Sequence, residues 1–261
     1  MKKRKLAIVG CGFLGNIIVD AWRDGLLDDY EFAGCLSRST ESAAALAEKA
    51  GCEAYMDLDA LLARKPDYVI EAAKPAVVRE IAEKTLAGGS NLIVLSIGAF
   101  ADAGFHDTIA RTARQAGTKV HLPSGAIGGF DVLRTAALMG GAKASITGTK
   151  GPRGYKGTPV FSESLAADTE RRRVFSGTAK EAIEQFPTKV NVAVATALAT
   201  TGPENTGVFM DCEPGFEGDG FRIEIAGGDV RAELNIYSRT AAIAGWSVVA
   251  LLRNLVSPIV F

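Results

Sequence analysis

The sequence is poor in the residues that build metal and disulfide sites. It has two histidines, His106 and His121, and four cysteines, Cys11, Cys35, Cys52 and Cys212, with no C-x-x-C pair among them. That spacing offers no zinc ligand set and no disulfide framework, and reduced thiols fit a reducing compartment. An excess of one charge is missing too. With 29 Lys and Arg against 30 Asp and Glu, no broad basic surface points to nucleic acid or to an acidic membrane. Long apolar runs are also absent. Leu6–Val9 breaks at Gly10, too short for a signal-peptide core, and the stretch from Ala241 to Leu252 falls short of the roughly 20 residues that span a bilayer. A soluble, cytoplasmic protein with a small-molecule partner is expected.

What is present is enough apolar matter for a real core. A chain of 261 residues that is 48% hydrophobic suits one or two domains, at roughly 100 to 200 residues each, and excludes a mainly disordered polymer. In the first half, short strand-like runs recur at Leu6–Val9, Glu31–Leu36, weakly near Ala54, then at Tyr68–Ile70, Asn91–Leu95 and Lys119–Leu122. Helical patterns separate them: Asp57 caps Leu58, Leu61 and Leu62, and Pro75 opens Val77 to Leu86 as an N1 proline. This rhythm predicts an α/β fold, a Rossmann doubly wound parallel sheet over residues 1–122.

Beyond Pro123 the rhythm changes. A helix is expected over Gly128–Met139, a strand over Ala144–Lys150, and a Gly/Pro-rich loop over Gly151–Val160, with Lys150, Arg153 and Lys156 as basic groups. Thr178 and Glu181 form a capping box ahead of a helix ending near Phe186, and Val190–Thr200 is helical. Val208–Asp211, Phe221–Ile225 and Val230–Ile236 alternate as antiparallel strands would, before a final helix over Thr240–Leu255. The expected second unit is an α+β substrate and dimerisation domain over 123–237, with 238–261 returning to the first.

Gly10-Cys11-Gly12-Phe13-Leu14-Gly15 follows the first strand and opens an amphipathic helix. A dinucleotide site needs this arrangement: the first glycine for the tight turn, the second for close approach of the pyrophosphate, the third for helix–strand packing. The helix N-terminus then offers N–H groups to the phosphates. At the end of the second strand, where a carboxylate would bind the ribose of NAD, stands Leu36-Ser37-Arg38-Ser39. Hydroxyls and a guanidinium suit a 2′-phosphate, so NADP is expected over NAD. Arg38 as an ordinary solvated charge is the competing explanation.

The segment Leu122-Pro123-Ser124-Gly125-Ala126-Ile127-Gly128-Gly129-Phe130-Asp131 closely resembles the P-S-G-A-I-G-G-[LF]-D segment of the L-aspartate dehydrogenases. The likeness extends to Gly10–Gly15, to Leu95-Ser96-Ile97-Gly98-Ala99, to Phe186-Pro187-Thr188-Lys189-Val190-Asn191-Val192-Ala193 and to the Ala-rich C-terminal helix. The resemblance implies a homodimer and nicotinamide contacts near Ala126 and Asn191. Ala72, Ala73, Ser96 and Gly98 complete the expected cofactor-binding set.

Members of that family carry a catalytic histidine in an N-x-H-x-[IV] motif. Aligning Asp211–Pro214 with the family's D-P turn places that histidine at Phe221; aligning Asn205–Val208 with the motif places it at Gly207. Neither is a histidine, so the acid/base role moves elsewhere or vanishes. Lys74, after the fourth strand where open α/β sheets bind ligands, and His121, one residue before the Pro-Ser-Gly-Ala loop, are the candidates. Lys150, Arg153, Lys156 and Lys189 are candidates for carboxylate recognition. Three activities stay open: an NADP-preferring reductase of an imine or carbonyl on a small carboxylated substrate, a genuine aspartate dehydrogenase with a relocated acid/base, and a non-catalytic NADP-binding protein.

Overall fold

Each strand-like run of the first half becomes a strand of one parallel sheet, with Leu6–Val9, Tyr68–Ile70 and Leu92–Val94 buried. The computed structural model describes residues 2–187 and 190–261. Its elements run β1 Arg4–Val9, α1 Phe13–Arg23, β2 Tyr30–Leu36, α2 Thr40–Ala50, β3 Ala54–Tyr55, α3 Leu58–Leu62, β4 Tyr68–Glu71, α4 Pro75–Ala87, β5 Asn91–Val94, α5 Ala103–Ala116 and β6 Val120–His121. The six strands are ordered β3-β2-β1-β4-β5-β6, all in parallel register. The order reverses between β1 and β4, the switch point at which such sheets open a crevice for ligands.

Local chemistry sets the helix starts. The Asp57 carboxylate accepts from Ala60 N–H at 2.9 Å, Ser39 Oγ accepts from Ser42 N–H at 3.2 Å, and Pro75 occupies the first turn of α4. The last helix, α10 Ala242–Val256, belongs to this unit, which comprises the chain up to Gly125 together with Ala242–Phe261. Val248, Val249 and Leu252 join Leu6, Ile8, Ile70 and Ile93 in one core, and Tyr30 OH donates to the Leu252 carbonyl at 2.7 Å. Gly245 of α10 lies against Ile17 of α1, where a Cβ would stand 3.0 Å from that side chain. No helix among the described residues is long and apolar enough to cross a membrane.

The second unit spans Ala126–Ala241. It contains α6 Phe130–Leu138, β7 Lys143–Lys150, α7 Glu163–Ala167, β8 Arg172–Thr178, α8 Ala179–Gln185, α9 Asn191–Ala199, β9 Gly207–Cys212, β10 Asp219–Ala226 and β11 Arg231–Ser238. The sheet order is β11-β10-β7-β9-β8. Two expectations are corrected here. Strand β9 pairs parallel with β7, and antiparallel only with β8, because it returns through α8 and α9, a crossover rather than a hairpin. Strand β8 was not expected at all: its start is masked by Arg171-Arg172-Arg173. The capping box at Thr178 and Glu181 forms in both directions.

Candidate functional site

The three fingerprint glycines do three different jobs. Gly10 N–H donates to the Leu36 carbonyl at 2.8 Å and Ala72 N–H to the Val9 carbonyl at 2.9 Å, so the ends of β2, β1 and β4 are drawn together around the turn. Gly10 has φ +108°, and a Cβ there would stand 2.5 Å from the Ala72 carbonyl oxygen. A Cβ on Gly15 would stand 2.6 Å from the Gly10 oxygen, which is how α1 sits directly on the turn. A Cβ on Gly12 would meet nothing within 4 Å. Gly12 caps α1 without any side-chain bond, so the first-turn amides, Phe13 and Leu14 among them, carry the helix's positive pole toward that open space. This cradle fits a pyrophosphate.

Just after β2, Ser37 is half-buried and Arg38 and Ser39 are exposed. Ser39 Oγ is the N-cap of α2, which uses one of its lone pairs and leaves its O–H as a donor. No carboxylate occupies residues 37–39.

One residue that the sequence reading overlooked organises the strand ends. Glu71, the last residue of β4, is 0% exposed. Its Oε1 accepts from Ala73 N–H at 2.8 Å and from Ser96 Oγ–H at 2.8 Å, and its Oε2 accepts from Ser96 N–H at 2.9 Å. Burial pushes this carboxyl above the usual range, opposed by the hydrogen bonds from Ser96 and Ala73. The signal was available: a carboxylate inside an otherwise apolar parallel strand is anomalous. Glu71 therefore holds Ala72-Ala73 and the Ser96–Gly98 turn in place. Glu71→Gln must set an amide N–H₂ against one of those donors, and is expected to cost about 1–3 kcal/mol of stability. Urea denaturation would measure it, and an unchanged midpoint would remove Glu71 from this organising role.

Lys74 caps α4 in extended conformation and is exposed. His121 is half-buried at the end of β6, its ring centroid 5.9 Å from that of Tyr68. Burial and the nearby Lys119 push its pKa down, which favours a neutral imidazole. Gly125 N–H donates to Ser247 Oγ at 3.0 Å, tying the loop after β6 to α10.

In the second unit Ala126 is half-buried and Asn191 is the first residue of α9. Phe221, at 7% exposure, lines an apolar cavity of about 20 Å³ with Ile146, Tyr155, Val190 and Ala193. Lys150 is not a loop cation: it ends β7 and pairs with Asp219 at 2.8 Å, its side chain 18% exposed. Arg153 and Lys156 are exposed, and Thr188 and Lys189 lie outside the described residues. The strongest polar cluster here was also unforeseen. Asp211, 3% exposed, accepts from Arg173 Nε at 2.8 Å and from Arg171 Nη2 at 2.7 Å. Burial pushes its pKa up, but the bonds and charges of Arg173 and Arg171 outweigh this and hold it below the ordinary range. Stability from Asp211 is therefore present above the unfolded Asp pKa of about 3.9 and is lost as pH falls through the lower folded value. Asp211→Asn is expected to flatten the acid limb of Tm against pH; a parallel acid limb would contradict the pairing.

The chain is similar to known proteins along almost its whole length. Residues 131–255 match the family described as the aspartate dehydrogenase C-terminal domain, and residues 10–123 match the NAD-binding domain of homoserine dehydrogenase. The L-aspartate dehydrogenases of Methanospirillum hungatei and Methanosarcina acetivorans are each 32% identical, over 98% of both chains. The crystal structure of aspartate dehydrogenase from Thermotoga maritima superposes with a TM-score of 0.79 at 25% identity, covering 99% of each chain.

Proposed function

The chain belongs to the L-aspartate dehydrogenase family, a nicotinamide-dependent oxidoreductase acting on CH–NH₂ groups, and from that premise we propose that it prefers NADP(H) and reduces an imine or carbonyl on a small carboxylated substrate. The observation that carries the cofactor preference is Ser37-Arg38-Ser39 beside the phosphate turn, with hydroxyl and guanidinium donors where a carboxylate would bind a ribose. When bound, the nicotinamide supplies the hydride. The chain's own residues bind, orient and protonate. In the first unit the α1 N-terminus takes the phosphates and Lys74 or His121 serves the substrate's polar end; nicotinamide contacts by Ala126 and Asn191 are what the family resemblance implies.

Phe221 supports a substrate other than aspartate, since an aromatic ring cannot supply the proton that a histidine would. Genuine aspartate dehydrogenation is the second reading, favoured by full-length similarity to enzymes of that name. The separating experiment follows NADPH oxidation with oxaloacetate and ammonia, then with a panel of other keto and imino acids. Turnover with oxaloacetate supports the second reading, turnover only with the others supports the first, and tight binding without any turnover defeats both in favour of a binding protein. For the cofactor, Arg38→Ala is expected to weaken NADPH by roughly 10- to 100-fold, from ~1.5–3 kcal/mol per charge-assisted bond, while NADH changes little. Equal loss of both would sink the 2′-phosphate assignment. A homodimer in the cytoplasm completes the proposal, supported by Trp246 of α10 at 47% exposure and by free thiols.

A further inference from the structure

Three of the four cysteines, distant in sequence, meet in the first unit. Cys35 Sγ and Cys52 Sγ are 3.6 Å apart, and Cys11, inside the phosphate turn, lies beside Cys35 and donates to the Leu36 carbonyl at 3.5 Å. The fold brings them together by pairing β2 with β3: Cys35 N–H donates to the Glu53 carbonyl at 3.0 Å, next in chain to Cys52. Their exposures differ sharply. Cys35 is 0% and Cys11 4% exposed, while Cys52 is half-buried and lines an open surface depression with Lys5, Gly51, Glu53 and Arg64. No group of three such side chains among the described residues could hold a metal ion.

We propose that Cys52 and Cys35 are a peroxide-reactive thiol pair, Cys52 attacking the oxidant and Cys35 resolving to a disulfide. The Cys52 thiolate attacks a hydroperoxide oxygen, the O–O bond breaks, and hydroxide or alkoxide leaves, giving Cys52–SOH. Cys35 sulfur then attacks the Cys52 sulfur, its proton passes to the departing hydroxyl, and water leaves. Two thiols are oxidised and one hydroperoxide is reduced. Exposure selects the attacking sulfur, because a thiolate must be reached to react. The neighbouring Cys35 thiol lowers the Cys52 thiol pKa against burial and Glu53, and Cys35 itself is held up by the thiols of Cys11 and Cys52 and by burial. The sulfurs, 3.6 Å apart, must close by about 1.6 Å to reach bonding distance. Cys11 is only 4% exposed, and Cys212, at 1% exposure, has no thiol neighbour of this kind among the described residues.

The test treats the full-length protein with hydrogen peroxide and counts free thiols, then maps peptides without reduction. The expected count falls from four to two, with a Cys35–Cys52 cross-link. Cys35→Ser is expected to stop at Cys52 sulfenic acid, trapped by dimedone, and Cys52→Ala to keep its remaining thiols. Cys52→Ala changes a half-exposed side chain and tests the pair even if Cys35→Ser fails to fold. A Cys11–Cys35 cross-link, an unchanged thiol count, or thiol loss undiminished in Cys52→Ala would each overturn the proposal. None of these outcomes depends on the identity of cofactor or substrate.

Discussion

Gly10→Ala is expected to abolish measurable dinucleotide binding and to lower stability at the same time. An L-residue at φ +108° pays backbone strain of about 1–3 kcal/mol, and its Cβ would stand 2.5 Å from a backbone carbonyl oxygen that no side-chain rotation can move. The obstacle is the Ala72 end of β4, itself hydrogen-bonded to β1, so relief must shift a strand end of the binding crevice. Gly12→Ala makes the informative partner. Its Cβ meets nothing within 4 Å of the protein, so Tm should stay near that of the parent, while the methyl fills the space assigned to the pyrophosphate and raises the Kd for NADPH by an expected tenfold or more, ~1.4 kcal/mol or greater. Calorimetric titration with NADPH and a thermal melt of both variants measure this. Undiminished binding by Gly12→Ala would mean that the phosphates do not pass over the turn.

The same turn shows how much was legible beforehand. Strand, glycine spacing and helix all lie within residues 4–23, so the motif is readable locally even though Leu36 and Ala72 complete its packing from far along the chain. The parallel sheet was legible for a related reason: Leu6–Val9, Tyr68–Ile70 and Leu92–Leu95 are buried on both faces and read as continuous apolar runs. Caps at Asp57 and Pro75 are short-range chemistry and formed as expected.

Glu71 is legible as an anomalous carboxylate on an apolar strand, but its partners, the thiol cluster and the pairing of Asp211 are not, because each gains its meaning from residues far away in the chain. Glu71 finds Ser96 across 25 positions, and Asp211 finds Arg173 across 38. Alternation in Val208–Asp211 correctly signalled a strand with two unlike faces, but alternation does not encode direction, so the parallel pairing with β7 was missed. Strand β8 was hidden because its two arginines find partners elsewhere in the chain: Arg172 pairs with Asp168, and Arg173 pairs with Asp211 and lies over the Phe209 ring at 4.6 Å from the centroid. Phe221 is a middle case. Its place on a strand was legible, whereas its burial against α9 followed only from the packed unit.

Lys74→Ala is expected to lower kcat by about 10²- to 10⁴-fold, the range for losing a general acid, while the Kd for NADPH changes little. Lys74 stands at the carboxyl end of β4, one residue beyond Ala73, whose N–H is fixed by Glu71. It thus projects from a rigid support beside the phosphate turn, and it caps α4 through backbone geometry without a side-chain bond. Its ammonium has two distinguishable uses. If it donates a proton, Lys74→Arg should restore KM but not kcat, because a guanidinium keeps the charge and does not release a proton near neutral pH. If it only binds a substrate carboxylate, Lys74→Arg should restore both. His121→Phe is the counter-test, since burial already favours the neutral ring. A kcat that collapses in His121→Phe and survives in Lys74→Ala would transfer the proton to the imidazole and leave Lys74 as a surface charge.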